Sequence, residues 1–265
     1  MLTLQTLYRI VLSVVLLLGV ISCNPFRPPA PTPTPSPTPI STPTVQPDVA
    51  PTPTPELTAG EIASRSAERM LAIQSLHFSI EPSGAPVALD PYIDSPIPIA
   101  LKWVEGDMVR PDKMQAQIKV SALGFATDVG LIHYEGDTYM SNPLSGEWET
   151  LPAEVGGMFD PSFLFDPDQG LPTLLPSMEL NDLGVEDIQG QPAYHLNVAD
   201  MGDLQVLGGE ADGSVSVDVW IDVQSYLLRQ AVVTQPTTDS DQPTVWLIEL
   251  SDFDQPVTIQ PPSLK

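Results

Sequence analysis

The 265-residue sequence carries 34 acidic against 10 basic side chains, a net charge of −24 at neutral pH, together with 31 prolines and one cysteine. A field of that sign repels phosphate backbones and anionic surfaces, which excludes nucleic acid and any polybasic contact with a membrane. A lone cysteine excludes an internal disulfide framework.

Taken in chain order, the first segment has the three-part form of a secretory signal. Arg9 and the free amine precede an apolar stretch from Ile10 to Leu18, which is short for a membrane span, and small residues lead on to Cys23. Val20-Ile21-Ser22-Cys23 resembles a bacterial lipobox, with Val and Ser where Leu and Gly or Ala are commoner. The expectation is a lipoprotein signal over residues 1–22 and acylation of Cys23, palmitate-type chains giving a stable membrane anchor. Residues 23–56 then read as the lipidated cysteine and a disordered Pro/Thr-rich tether, because Pro alternates with Thr and Ser and apolar groups are lacking. In polyproline II, at roughly 3.1 Å per residue, it reaches up to about 100 Å. Only Arg9, Arg27, Asp48 and Glu56 of the charged residues precede Leu57, so the whole net charge falls on 57–265, which is read as one folded domain.

Thr58-Ala-Gly-Glu61 is a capping box opening a helix to about Gln74, with an apolar stripe of Ile62, Ala63, Ala67, Met70, Leu71 and Ile73. Leu76, Phe78 and Ile80 alternate as a first strand, and a proline-broken loop is expected from Pro82 to Pro98. Ile99, Leu101 and Trp103 alternate up to a turn at Glu105-Gly-Asp107. Met114 to Val120 follow up to a turn near Gly124, Thr127 to Tyr134 up to Glu135-Gly-Asp137, then Thr138 to Ser141, and Trp148 to Leu151. With no helical crossovers between them, these are successive antiparallel hairpins. Residues 152–179 crowd Met, Phe and Leu between prolines, which permits short helical turns only. Val185 to Val198 reads as a hairpin, with a short helical piece around Asp203 to Leu207. Val215, Val217, Val219 and Ile221 then alternate with polar residues as a half-buried strand, followed by a turn at Asp222 to Ser225, a second run from Tyr226 to Thr234 and a third from Val245 to Leu250.

Catalytic and metal signatures are missing from this pattern. His77, His133 and His195 are not metal-spaced and read as strand residues with satisfied rings, and no nucleophile elbow, phosphate loop or free cysteine nucleophile occurs. Asp166-Pro-Asp168-Gln-Gly170 lacks the later acids of a calcium loop and reads as a turn. No enzyme activity, cofactor or metal is expected.

Several features in order resemble one family. The capped helix leading into Ser75-Leu-His-Phe78, Gly136-Asp-Thr-Tyr-Met140 with Gly146-Glu-Trp148, Tyr194-His-Leu196, Val217 to Asp222 with Leu228-Arg229, and the closing Leu250-Ser-Asp-Phe253 are similar to the LppX/LprA/LprF/LprG lipoproteins. These are related in fold to the lipoprotein carriers LolA and LolB. The resemblance implies an α+β single domain: a strongly curved antiparallel β half-barrel with helices on the concave face, preceded by signal peptide and disordered linker. It further implies an apolar cavity for the acyl chains of lipid or glycolipid, carried or presented in the cell envelope by a monomer anchored through Cys23 to the outer face of the cell membrane. The expected cavity residues are Val215, Val217, Val219 and Ile221 on the sheet, with Met158, Phe159, Phe163, Phe165, Leu174 and Met178 as the greasy cover. The alternative is a tethered acidic module with a solid core, binding a protein or wall component.

Overall fold

The computed structural model describes residues 57–89, 98–143, 145–153, 174–198, 215–237 and 240–264. Among the described residues one α-helix, α1 (Ala59–Ala72), leads into strands β1 (Ser75–Gly84), β2 (Val87–Ala88), β3 (Ile99–Val109), β4 (Lys113–Ala122), β5 (Phe125–Tyr134), β6 (Asp137–Ser141) and β7 (Trp148–Thr150). A 3₁₀ turn at Leu175–Ser177 precedes β8 (Asn181–Ile188), β9 (Gln191–Val198), β10 (Ser216–Asp222), β11 (Leu228–Gln235) and β12 (Thr244–Ser251). They form one 12-stranded antiparallel sheet in the order β7-β6-β5-β4-β3-β1-β12-β11-β10-β9-β8, with β2 pairing beside β3. Among the described residues the curved sheet does not close, since its two end strands, β7 and β8, do not pair. Among the described residues no helix is long and apolar enough to cross a membrane.

The capping box closes as its chemistry requires. Glu61 N donates to Thr58 Oγ1 at 3.3 Å, while Thr58 N donates to Glu61 Oε2 at 2.8 Å. This satisfies two donors that the first helical turn leaves open. Ile62, Ala63, Ser66 and Met70 are the buried positions of α1, so its inward stripe includes a serine and leaves Ala67 and Leu71 only half-buried. The middle and the last turn of the helix are fixed by polar contacts. Arg65 Nη1 donates to the Tyr226 hydroxyl at 2.9 Å and Arg69 Nε to the Ser225 carbonyl at 3.2 Å, while Arg110 Nη1 donates to the Leu71 carbonyl at 2.6 Å.

Four expectations are corrected by the strands. Glu105-Gly-Asp107 is not a turn: β3 runs straight through it, with Gly106 opposite Ala116 of β4 and Phe78 of β1. A Cβ on Gly106 would meet the Gln115 carbonyl, so the glycine serves a close backbone approach there. The loop expected from Pro82 begins later, because β1 continues to Gly84 along β12 and β2 lies within it. The second run of the meander starts at Leu228, since Tyr226 takes a left-handed φ of 59° in the preceding turn. Finally, β10 is half-buried only at its start. From Val219 to Asp222 both faces are covered, because the Trp220 ring stacks on His195 at 4.3 Å and its indole N–H donates to Glu186 at 2.9 Å.

Candidate functional site

The period-two pattern places most of the buried apolar strand residues on one face, and the register aligns them into rows across the sheet. One row runs Leu196, Val219, Ala231, Ile248, Ile80, Val104, Ile118, Val129, crossing β9, β10, β11, β12, β1, β3, β4 and β5 in turn. No polar side chain interrupts it. At about 4.8 Å per strand spacing, the row spans on the order of 34 Å of apolar wall.

Burial divides this wall. Leu196, Val219, Ala231 and Val129 at its ends are buried, whereas Ile248, Ile80, Val104 and Ile118 in the middle are only partly buried. Leu196, Val219 and Ala231 share one core cluster with Ile62, Ala63, Met70 and Ile73 of the helical segment and with Leu76 and Phe78, and the four middle residues pack against its margin. Val215, Val217, Val219 and Ile221 all lie in this cluster at 0 to 2% exposure. Leu174 and Met178 flank the 3₁₀ turn, where Leu175 is buried at 4% and Met178 packs on the same cluster. The structure therefore brings the β10 residues and the end of the greasy segment to one apolar core. Met158, Phe159, Phe163, Phe165 and Cys23 lie outside the described residues, as do the turn at Asp166 and the helical piece around Asp203.

Sequence reading missed Ile80, Val104, Ile118 and Ile248 as wall residues. The alternation of Ile80, Ile118 and Ile248 was visible, but the expected alternation of Ile99, Leu101 and Trp103 is broken by a bulge between Leu101 and Trp103 that turns Val104 to the wall, and only pairing register shows that all four continue Val219 in one line.

The opposite face carries the paired carboxylates and histidines, with Trp103 and Trp220 among them. It holds a depression of about 320 Å³ lined by His77, Trp103, Glu105, Gln189, Arg229 and Glu249, among others. His77 sits between two carboxylates, Nδ1 at 2.9 Å from Asp107 Oδ1 and Nε2 at 3.1 Å from Glu105 Oε1. His195 repeats the arrangement between Glu186 at 3.1 Å and Asp218 at 2.9 Å. Burial opposes the charge on His77, but the hydrogen bonds and negative charge of Asp107 and Glu105 outweigh it and hold its pKa above the ordinary value. His133 lies instead on the apolar face, in line with Val129 and Leu131, where it is buried and bonds Thr138 Oγ1 at 2.8 Å. Among the described residues no group of three or more His, Cys, Asp or Glu is placed to hold a metal ion.

The sequence that folds into this unclosed antiparallel sheet is matched over residues 58–259 by one family model, the LppX_LprAFG lipoprotein. The chain belongs to this family. The LppX_LprAFG fold is seen in solved structures that resemble it: LprF from Mycobacterium bovis, at 18% identity, covers 77% of this chain and 97% of its own with a TM-score of 0.56. The lipoprotein LppX from Mycobacterium tuberculosis, at 16% identity, covers 75% of this chain and 97% of its own with a TM-score of 0.50. A LolA superfamily protein from Nitrosomonas europaea aligns over 77% of the chain at 11% identity and a TM-score of 0.29, too loose to argue from. No curated protein matches the sequence. At such identities the solved LppX_LprAFG structures speak to the fold, and the family assignment rests on the model spanning the domain.

Proposed function

We propose that this LppX_LprAFG lipoprotein binds the acyl chains of lipid or glycolipid between the apolar face of its sheet and the elements covering that face, and carries or presents them in the cell envelope. The observation behind this reading is the divided row: eight strands contribute aligned apolar side chains, and the middle four remain partly exposed. An apolar surface that ends half-covered is a place where hydrocarbon gains about 0.8 kcal/mol per CH₂ removed from water. Binding of this kind needs no directed polar contact and no catalytic group. Ile80, Val104, Ile118 and Ile248 form the open part of the wall, Val215, Val217, Val219 and Ile221 its packed edge, and Met158, Phe159, Phe163, Phe165, Leu174 and Met178 the cover. Residues 1–22 act as leader, acylated Cys23 as anchor and 24–56 as tether, which places the domain on the outer side of the membrane as a monomer.

Titration of the full chain with a fluorescent long-chain fatty acid tests the reading. Saturable binding is expected, weakened at least tenfold by Ile118→Trp, which adds volume at the open wall, at unchanged circular dichroism. Absence of saturable uptake would leave a tethered domain with a solid core.

A further inference from the structure

Three hairpins of the sheet share one turn geometry, two residues with both φ positive. These are Glu135-Gly136 (51° and 90°), Gln189-Gly190 (54° and 81°) and Leu123-Gly124 (52° and 82°). The first residue of such a turn is held in the left-handed region, where Asn and Asp are favoured and a branched apolar side chain gains nothing from the backbone. The first two tips read Tyr-Glu-Gly-Asp and Ile-Gln-Gly-Gln, while the β4–β5 tip reads Ala122-Leu-Gly-Phe125. Leu123 is 72% exposed and Phe125 79%, more than any other large apolar side chain described. Neither packs on the core, so the fold does not account for them.

We propose that this tip inserts into a lipid bilayer and docks the domain on it. Beyond the cross-strand pair Lys119–Asp128, whose charged atoms are 3.6 Å apart, residues 120–127 carry no charge. Three rungs of hairpin at about 3.4 Å each give roughly 10 Å of uncharged length, the depth at which amphipathic elements sit in the headgroup and acyl boundary. The next rung back supplies what the headgroup level favours: Trp103, opposite Lys119, with the ammonium 5.7 Å from its ring centre, and exposed Lys102 in the adjoining β3 bulge. In a chain with so few basic residues, two lie at the shoulder of the most apolar of the described hairpin tips. Two protruding side chains are far below the roughly 800 Å² per partner of a stable protein interface. Lipid needs no complementary shape, and a contact made by an uncharged tip avoids the repulsion that the acidic domain imposes. Docking of this kind requires no cargo, so it stands or falls separately from acyl-chain binding in the sheet.

The test uses the full chain with Cys23→Ser and Ala126→Cys, a nitroxide on the introduced thiol, and phosphatidylcholine vesicles. The expected result is at least a fivefold loss of collisions with a water-soluble nickel chelate on adding vesicles, no change for a label at Gln117→Cys on β4, and recovery of the collisions in Phe125→Asp. Phe125 is exposed, so that substitution spares the core. Equal accessibility at position 126 with and without vesicles would overturn the proposal. Shielding without vesicles that grows with protein concentration would also overturn it, by assigning the tip to a second copy of the chain.

Discussion

His77 shows how one side chain ties the pH response to the sheet. Its two ring nitrogens face Asp107 and Glu105, and only the doubly protonated ring donates to both. The folded pKa is raised. The stabilisation is therefore fully present below the unfolded histidine value of about 6.5 and is lost as pH rises through the higher folded value. The melting temperature is expected to fall across this window in the native chain, and the His77→Gln variant should lose that component. An identical slope in both would show that the paired carboxylates contribute nothing through this ring. Asp222 titrates the other way. Burial raises its pKa, but the Ser225 amide and hydroxyl and the Gln224 amide, with Arg229 nearby, lower it further than burial lifts it. Its contribution holds above the unfolded carboxylate range and disappears as pH falls through the depressed folded value.

Among the elements, β5 and β7 depend on a missing side chain. Gly130 N donates to Ser141 Oγ at 2.7 Å, and a Cβ at Gly130 would stand 2.7 Å from the Trp148 ring. Gly130→Ala forces the indole of a three-residue edge strand to move, a change expected to destabilise by about 1–3 kcal/mol. Urea unfolding should show a lower midpoint at unchanged slope, partly restored by adding Trp148→Phe. An unshifted midpoint would mean the ring swings aside freely. The other edge, β8, is protected differently. It is exposed along nearly its whole length, carries Asp182, Glu186 and Asp187, and is interrupted by a bulge between Asp182 and Gly184. Charge and bulge together discourage pairing with another chain.

At the scale of the molecule, the sheet separates two surfaces of opposite character. Acidic clusters around His77 and His195 occupy one, and the aligned apolar row, with buried His133 beside it, occupies the other. If the row holds acyl chains, a ligand at a hundred times its dissociation constant adds about 2.7 kcal/mol to stability. For a domain of this size that corresponds to a rise in Tm of roughly 5–10 °C. Scanning calorimetry of the full chain with and without a long-chain fatty acid should show that rise for the native chain and a much smaller one for Ile118→Trp. No shift with saturating lipid would argue that the row is closed by the protein itself.

The fold was readable wherever a local signal agreed with its surroundings. Period-two alternation gave the strands around Val217 and Ile118, and the capping box gave the start of α1 within one residue, because both are set by side chains a few positions apart. Glu-Gly-Asp marks the limit. At residues 135–137 it contains a hairpin turn, with Glu135 and Gly136 at positive φ, whereas at 105–107 it is mid-strand. No local property separates the two, since at Gly106 the choice is made by the Gln115 backbone of the neighbouring strand. The candidate site divides in the same way. Which residues are apolar and alternate was written in the chain, but that Val219 is continued by Ala231, Ile248, Ile80, Val104 and Ile118 depends on the register of five strand pairings, and register is decided only when the sheet assembles.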